Sequence, residues 1–169
     1  MPQVYVSIGS NQSPRQYIRE GLARLESEVG PLQLSPVYRS VAVGFEGEDF
    51  FNLVIGFSTS LPLQTLAQIL RDIEAACGRH RGEAKFAPRT LDMDILTYGE
   101  AVLEEGRLRL PREDILEYAF VLKPLADIAP DARHPVLRQT YAALWATFAG
   151  GDAGMVEAPG FLDDESSPC

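Results

Sequence analysis

Thr90-Leu91-Asp92-Met93-Asp94-Ile95-Leu96 decides how this chain is put together. On an extended strand successive side chains take opposite faces, so Asp92 and Asp94 share one face while Leu91, Met93 and Ile95 take the other. One side of the strand must be buried, and the other carries two carboxylates. At about 3.3 Å per residue these lie roughly 6 to 7 Å apart, close enough to hold a divalent cation or a bridged pair of cations. Just ahead lie Gly78-Arg79-His80-Arg81 and Lys85-Phe86-Ala87-Pro88-Arg89. Arg79, Arg81, Lys85 and Arg89 put fixed positive charges in one short segment, and metal plus guanidinium groups is what a polyphosphate requires.

Working outward, the elements before this strand set the fold class. Val4-Tyr5-Val6-Ser7-Ile8 alternates as a strand and Gly9-Ser10-Asn11 breaks it. A helix follows, with Ser13 as its expected cap, Pro14 in its first position and Ile18, Leu22, Leu25 and Val29 at helical spacing. Leu32 to Val43 is β-rich, with Pro36 implying an edge or a bulge. After the acidic stretch Gly44 to Asp49, Phe50 to Phe57 reads as an apolar strand in which Asn52 is the odd polar residue. Ser60 is the expected cap of a second helix carrying Leu63, Leu66, Ile69, Leu70 and Ile73, which ends at Cys77-Gly78. The two-aspartate strand then completes a strand, helix, strand, strand, helix, strand order. That order predicts an α+β fold, a ferredoxin-like antiparallel sheet (βαββαβ) with helices on one face.

Later segments supply the remaining layer. A hairpin is expected over Val102 to Leu110, a helical piece from Pro111 towards Leu122, and a last helix over Leu137 to Phe148, giving three layers, α/β/α. The chain has 169 residues, 46% of them hydrophobic, which suits one domain over residues 1–149. Residues 150–169 turn to Gly, Pro, Ser and acids and read as a disordered tail. A net charge of -9 argues against a nucleic-acid partner, and the basic cluster stands out against it as a local exception. No apolar run is long enough to span a bilayer, so no membrane association and a cytoplasmic location are expected. Cys77 and Cys169 have neither disulfide nor zinc spacing and read as incidental thiols.

Each candidate carries a plainer alternative. Asn52 offers a donor and an acceptor for the edge of a heterocycle, or it is a satisfied buried amide. Phe50, Phe86 and Phe120 could stack on a flat ring or fill the core. Glu74 stands one turn before the basic loop, either at the site or on the helix surface. The arginine loop, flanked by Gly78 and Gly82, suits residues that close over a bound nucleotide, Arg79 and Arg89 foremost.

Tyr5-Val6-Ser7-Ile8-Gly9-Ser10-Asn11, Asn52 in its apolar strand, Gly78-Arg79-His80-Arg81 and above all Ala87-Pro88-Arg89-Thr90-Leu91-Asp92-Met93-Asp94-Ile95-Leu96 together resemble the 6-hydroxymethyl-7,8-dihydropterin pyrophosphokinase family of folate biosynthesis. The resemblance runs from about Val4 to Pro130 and includes Phe120 to Pro130. It implies transfer of the pyrophosphoryl group of ATP to the hydroxymethyl oxygen of the pterin, releasing AMP. It also implies that Asp92 and Asp94 hold two Mg²⁺ along the triphosphate, with Arg79 and Arg89 as catalytic arginines and Arg81 and Lys85 in the same loop. Phe86 stands where the family has a tryptophan, on the ATP side. Glu74, Ile95 and Arg107 match nucleotide-site positions; Asn52 matches the pterin-edge residue, Phe120 the aromatic on one side of the ring, and Phe50 and Val43 its walls. ATP and a pterin are thus the expected partners, and a monomer is expected.

Several positions depart from the family pattern. Pro111-Arg112-Glu113 replaces Pro-His and an aromatic, Tyr118 replaces a basic residue, and Val41 and Ala42 replace prolines. These changes leave open a divergent paralogue acting on a related pterin. A non-catalytic module binding a nucleotide or pterin is the alternative from another class.

Overall fold

The computed structural model describes residues 1–40, 49–78, 90–151 and 154–163. In chain order the elements are β1 (Gln3–Ser10), α1 (Pro14–Val29), β2 (Gln33–Leu34), β3 (Tyr38–Ser40), β4 (Phe50–Ser58), α2 (Leu63–Ala76) and β5 (Asp92–Tyr98). They continue with β6 (Leu103–Glu105), β7 (Leu108–Leu110), α3 (Asp114–Glu117), α4 (Ala119–Ile128), α5 (Tyr141–Ala146) and β8 (Met155–Glu157). The main sheet runs β5-β1-β4-β3-β8, with β2 also on β4, while β6 and β7 form a separate hairpin. β1 pairs antiparallel with both β4 and β5. The order β5-β1-β4-β3 is the one a ferredoxin-like βαββαβ chain produces, as the element order predicts.

Alternation along the strands builds two cores, one on each face of the sheet. Val4, Val6, Ile8, Leu53, Ile55 and Met93 face α1 and α2, where Ile18, Leu25, Leu66 and Leu70 meet them. Val54 and Leu96 face the other way, onto Val121, Leu122 and Leu125 of α4 and Tyr141 of α5. Burying each large side chain is worth about 1.5 to 3 kcal/mol, so the two layers of helix are held by the two faces of the same strands. Cys77 is buried in the first core, and burial, reinforced by the charge of Glu20, pushes its thiol up to about 11. It is therefore an inert thiol.

Some local expectations change. Ser13 sits at φ 46 and its side chain makes no cap, although Pro14 does open α1. Ser60 does not cap α2 either: the helix starts after Pro62, and Thr59 Oγ1 accepts the Leu61 N–H at 3.1 Å ahead of it. The helical piece beginning near Pro111 divides into α3 and α4 at Tyr118, whose backbone is extended. Pro124 does not end α4, which continues to Ile128 with Pro124 inside it. The last helix begins at Tyr141 rather than Leu137, capped by Thr140 Oγ1, which accepts the Ala143 N–H at 3.1 Å. Before it, His134 Nδ1 accepts the N–H groups of Val136 and Leu137 at 3.2 and 3.1 Å, holding that segment in a turn.

Composition predicts a disordered tail from residue 150, yet residues 154–163 are built into the fold. β8 pairs with β3, the Ala158 N–H donates to the Val37 carbonyl at 2.8 Å, and Phe161 stacks on Phe51 with centroids 4.4 Å apart. A few apolar anchors, Met155 and Phe161, outweigh the polar average of the segment. Arg15 Nε donates to the Phe161 carbonyl at 2.6 Å and its guanidinium lies over the ring.

Candidate active site

The site forms on the sheet face turned away from α1 and α2. Gly9 lies opposite both Asn52 on β4 and Asp92 on β5, and Ser7 lies opposite both Val54 and Asp94. Cross-strand partners project to the same face, so Asn52, Gly9 and Asp92 make one row and Asp94 belongs to the next. With strands about 4.8 Å apart, the Asn52 and Asp92 backbones are separated by about 10 Å.

Gly9 is required by that row. A Cβ built there would lie 2.6 Å from Asn52 Oδ1 and force the amide to turn away. The missing side chain lets the Asn52 amide lie over β1. Asn52 is 9% exposed, so its amide is a buried polar group. Tyr38 is its partner on β3, and the Tyr38 hydroxyl donates to Asp127 of α4, which also accepts from Lys123 at 2.6 Å. The strands and α4 around Asn52 are thus tied by hydrogen bonds as well as by packing.

Asp92 and Asp94 are both half-buried on β5. Between them the Met93 N–H, on the outer edge of the sheet, donates to Glu74 Oε2 at 2.8 Å. Glu74 is only 2% exposed, which overturns the reading of a helix-surface acid. It follows Leu70 by four residues on the buried stripe of α2, and it fixes the strand from behind at the point between the two aspartates.

A residue the spacing argument missed stands beside them. Arg112, after β7, is held by its backbone N–H to the Leu96 carbonyl at 2.9 Å. Its guanidinium lies 3.9 Å from Asp94 Oδ2 and 3.3 Å from Asp114 Oδ2. Burial by itself would lower its pKa, but the charges of Asp94, Asp114 and Asp92 outweigh burial and raise it. The sequence signal was the arginine directly after a proline that follows an apolar strand; nothing in it named Asp94 as the partner.

The other candidates separate. Phe120, in the first turn of α4, packs on the same side of the sheet as Asn52 and stacks on Tyr118 with centroids 4.9 Å apart. Phe50 is half-buried at the start of β4 opposite Ser40. Ile95 faces the opposite way, 6% exposed in the core against α2, and is not brought to the aspartate face. Arg107 is exposed in the β6–β7 turn. Arg79, Arg81, Lys85, Phe86, Arg89 and Val43 lie outside the described residues.

The donor set suits a hard cation. Two half-exposed carboxylates on adjacent outward positions of one strand are what Mg²⁺ accepts from a protein when its other oxygens come from water and phosphate. The approach of the Arg112 guanidinium to Asp94 shows that positive charge is drawn to this position.

Comparison with known proteins bears on the family. Residues 5–130 match the family described as 7,8-dihydro-6-hydroxymethylpterin-pyrophosphokinase. The chain is 41% identical over 137 residues to the 2-amino-4-hydroxy-6-hydroxymethyldihydropteridine pyrophosphokinase of Pseudomonas aeruginosa, covering 79% of this chain and 84% of that one. The enzyme of the same name from Aquifex aeolicus is 35% identical over 141 residues, covering 82% of this chain and 88% of the relative. Among solved structures, the fold is similar to a Plasmodium falciparum HPPK-DHPS with pteroate, at a TM-score of 0.69 and 13% identity. That match covers 86% of this chain but 42% of the other, so this chain spans less than half the length of that two-part protein.

Proposed function

The chain belongs to the 7,8-dihydro-6-hydroxymethylpterin-pyrophosphokinase family, and on that premise we propose how its residues divide the work of the reaction. The activity is transfer of the pyrophosphoryl group of ATP to the hydroxymethyl group of 6-hydroxymethyl-7,8-dihydropterin, in folate synthesis. The hydroxymethyl oxygen attacks the β-phosphorus and loses its proton to solvent, the bond from that phosphorus to the oxygen bridging it to the α-phosphorus breaks, and AMP leaves with the electron pair. Such a transfer needs in-line placement and charge neutralisation more than a strong base.

Asn52 is the acceptor end. Its amide presents a donor and an acceptor together, which matches the edge of a pterin ring, and Phe120 and Phe50 would serve as apolar walls, a role also proposed for Val43. Asp92 and Asp94 are the donor end and would hold Mg²⁺, with two ions along the triphosphate. Bound there, Mg²⁺ would neutralise charge on the phosphate oxygens. Glu74 serves the donor end from behind, by holding the Met93 N–H. Arg79 and Arg89 would supply the guanidinium groups for the transferring phosphates, with Arg81, Lys85 and Phe86 of the same segment assisting, while Arg107 would border the nucleotide; Ile95, turned into the core, has no part in it. The working form we propose is a monomer. No helix among the described residues is long and apolar enough to cross a membrane.

The observation that carries this reading is the row Asn52, Gly9, Asp92. A ligand recognised at Asn52 has about 10 Å to reach the aspartates, so a pterin anchored by one edge points its substituent at the phosphates. Release of AMP, measured across a small panel of hydroxymethyl and other pterins, tests it. The 6-hydroxymethyl-7,8-dihydropterin is expected to give the highest kcat/KM, and a preference for another pterin would overturn the acceptor assignment.

A further inference from the structure

Arg112 is the described cation nearest the aspartate pair, and its position is held from two sides. Its backbone N–H is bonded to the Leu96 carbonyl, two residues beyond Asp94 on the same strand. Its side chain leans on Asp114, 3.3 Å away, in the first turn of α3. With both anchors in place, the far guanidinium nitrogen reaches to 3.9 Å from Asp94 Oδ2. The separation is too long for a hydrogen bond but well inside the range at which opposite charges attract. A side chain about one-third exposed can also withdraw, because its outer part already borders solvent.

We infer that Arg112 is a resident counter-ion for Asp94, a positioning residue that screens the carboxylate in the nucleotide-free protein and must give way before a divalent cation is held there. Asp114 is the resting place for the displaced guanidinium, so withdrawal does not strand a charge. The consequence is that a bare cation competes with Arg112 for Asp94. A cation arriving with a polyphosphate does not, because the phosphate offers Arg112 an alternative anion. Arg112 thereby biases the site towards metal delivered with nucleotide. The inference rests on the assignment of Asp92 and Asp94 as metal ligands.

Titration of the nucleotide-free protein with Mn²⁺, reading free ion by its paramagnetic resonance signal, tests it without reference to turnover. Arg112→Gln is expected to tighten Mn²⁺ binding about fivefold, from the loss of one partly screened charge close to the ligand. Arg112→Lys keeps the charge and is expected to stay within about twofold of the parent protein. Arg109→Gln removes the same charge from a neighbour that pairs with Glu113 at 2.9 Å, and is expected to change little. Equal tightening in the Arg109 and Arg112 variants, or weaker binding in Arg112→Gln, overturns the inference. Circular dichroism confirms that each variant is folded before titration. Asp94→Asn separates the two levels: if it leaves Mn²⁺ binding unchanged, the ligand assignment falls and this inference with it. If it abolishes binding while Arg112→Gln has no effect, only the inference falls.

Discussion

Glu74 Oε2 accepts the N–H of Met93 at 2.8 Å, from the buried side of the strand whose outward face carries Asp92 and Asp94. One helix carboxylate thus sets the edge of β5 at the point where the two site carboxylates diverge. Glu74→Ala leaves that N–H without its acceptor and opens space under the strand. Because a buried N–H is left without its partner, the expected loss is about 2 kcal/mol of stability by urea denaturation. Glu74→Gln keeps an acceptor oxygen and should lose less.

Gly9→Ala tests the row from its centre. The added Cβ would meet Asn52 Oδ1 at 2.6 Å, so the amide must turn away from β1. KM for the pterin should rise about tenfold or more, corresponding to about 1.4 kcal/mol of lost binding. KM for ATP should change far less. Steady-state kinetics with each substrate varied in turn distinguishes the two, and equal effects on both would show that the whole strand had shifted.

His134 makes stability depend on pH. Burial holds its pKa below the ordinary value, and Nδ1 must stay unprotonated to accept the Val136 and Leu137 N–H groups. The unfolded chain therefore takes up the proton first, near pH 6.5. The stabilisation is present above that pH and is lost as pH falls below it. His134→Asn, whose Oδ1 can accept in place of Nδ1, should show a flatter melting temperature between pH 7 and pH 5.5.

Phe161→Ala removes a ring stacked on Phe51 and the surface beneath Arg15. A loss of about 1 to 2 kcal/mol in chemical denaturation is expected for a half-buried aromatic. No measurable loss would mean that residues 154–163 contribute little to the fold.

The fold was legible where period and punctuation agreed. The alternation in Val4 to Ile8, Phe50 to Phe57 and Leu91 to Leu96, separated by helices with stripes at Ile18 and Leu25 or Leu66 and Leu70, led directly to the observed strand order. The face shared by Asp92 and Asp94 followed from the strand period, and the register then placed Asn52 in their neighbourhood. What could not be read depended on tertiary contacts. Whether Glu74 stood at the site or on the helix surface could not be decided because its partner is a backbone N–H, and Met155 and Phe161 were lost in a composition that averages over a segment folding through a few anchors. Ile95 carried an implied nucleotide contact, but it shares the core face of its strand with Met93. Arg112 was visible as a changed residue and bore on the choice of acceptor; in the structure it stands at the aspartate end instead.

The most direct measurement is pterin-dependent AMP release from ATP and Mg²⁺, run with the parent protein and with Asp94→Asn shown by circular dichroism to be folded. The parent should form AMP and pyrophosphorylated 6-hydroxymethyl-7,8-dihydropterin in equal amounts, with the variant slower by at least about a hundredfold. Undiminished turnover in folded Asp94→Asn, or AMP release that does not consume the pterin, would contradict the account.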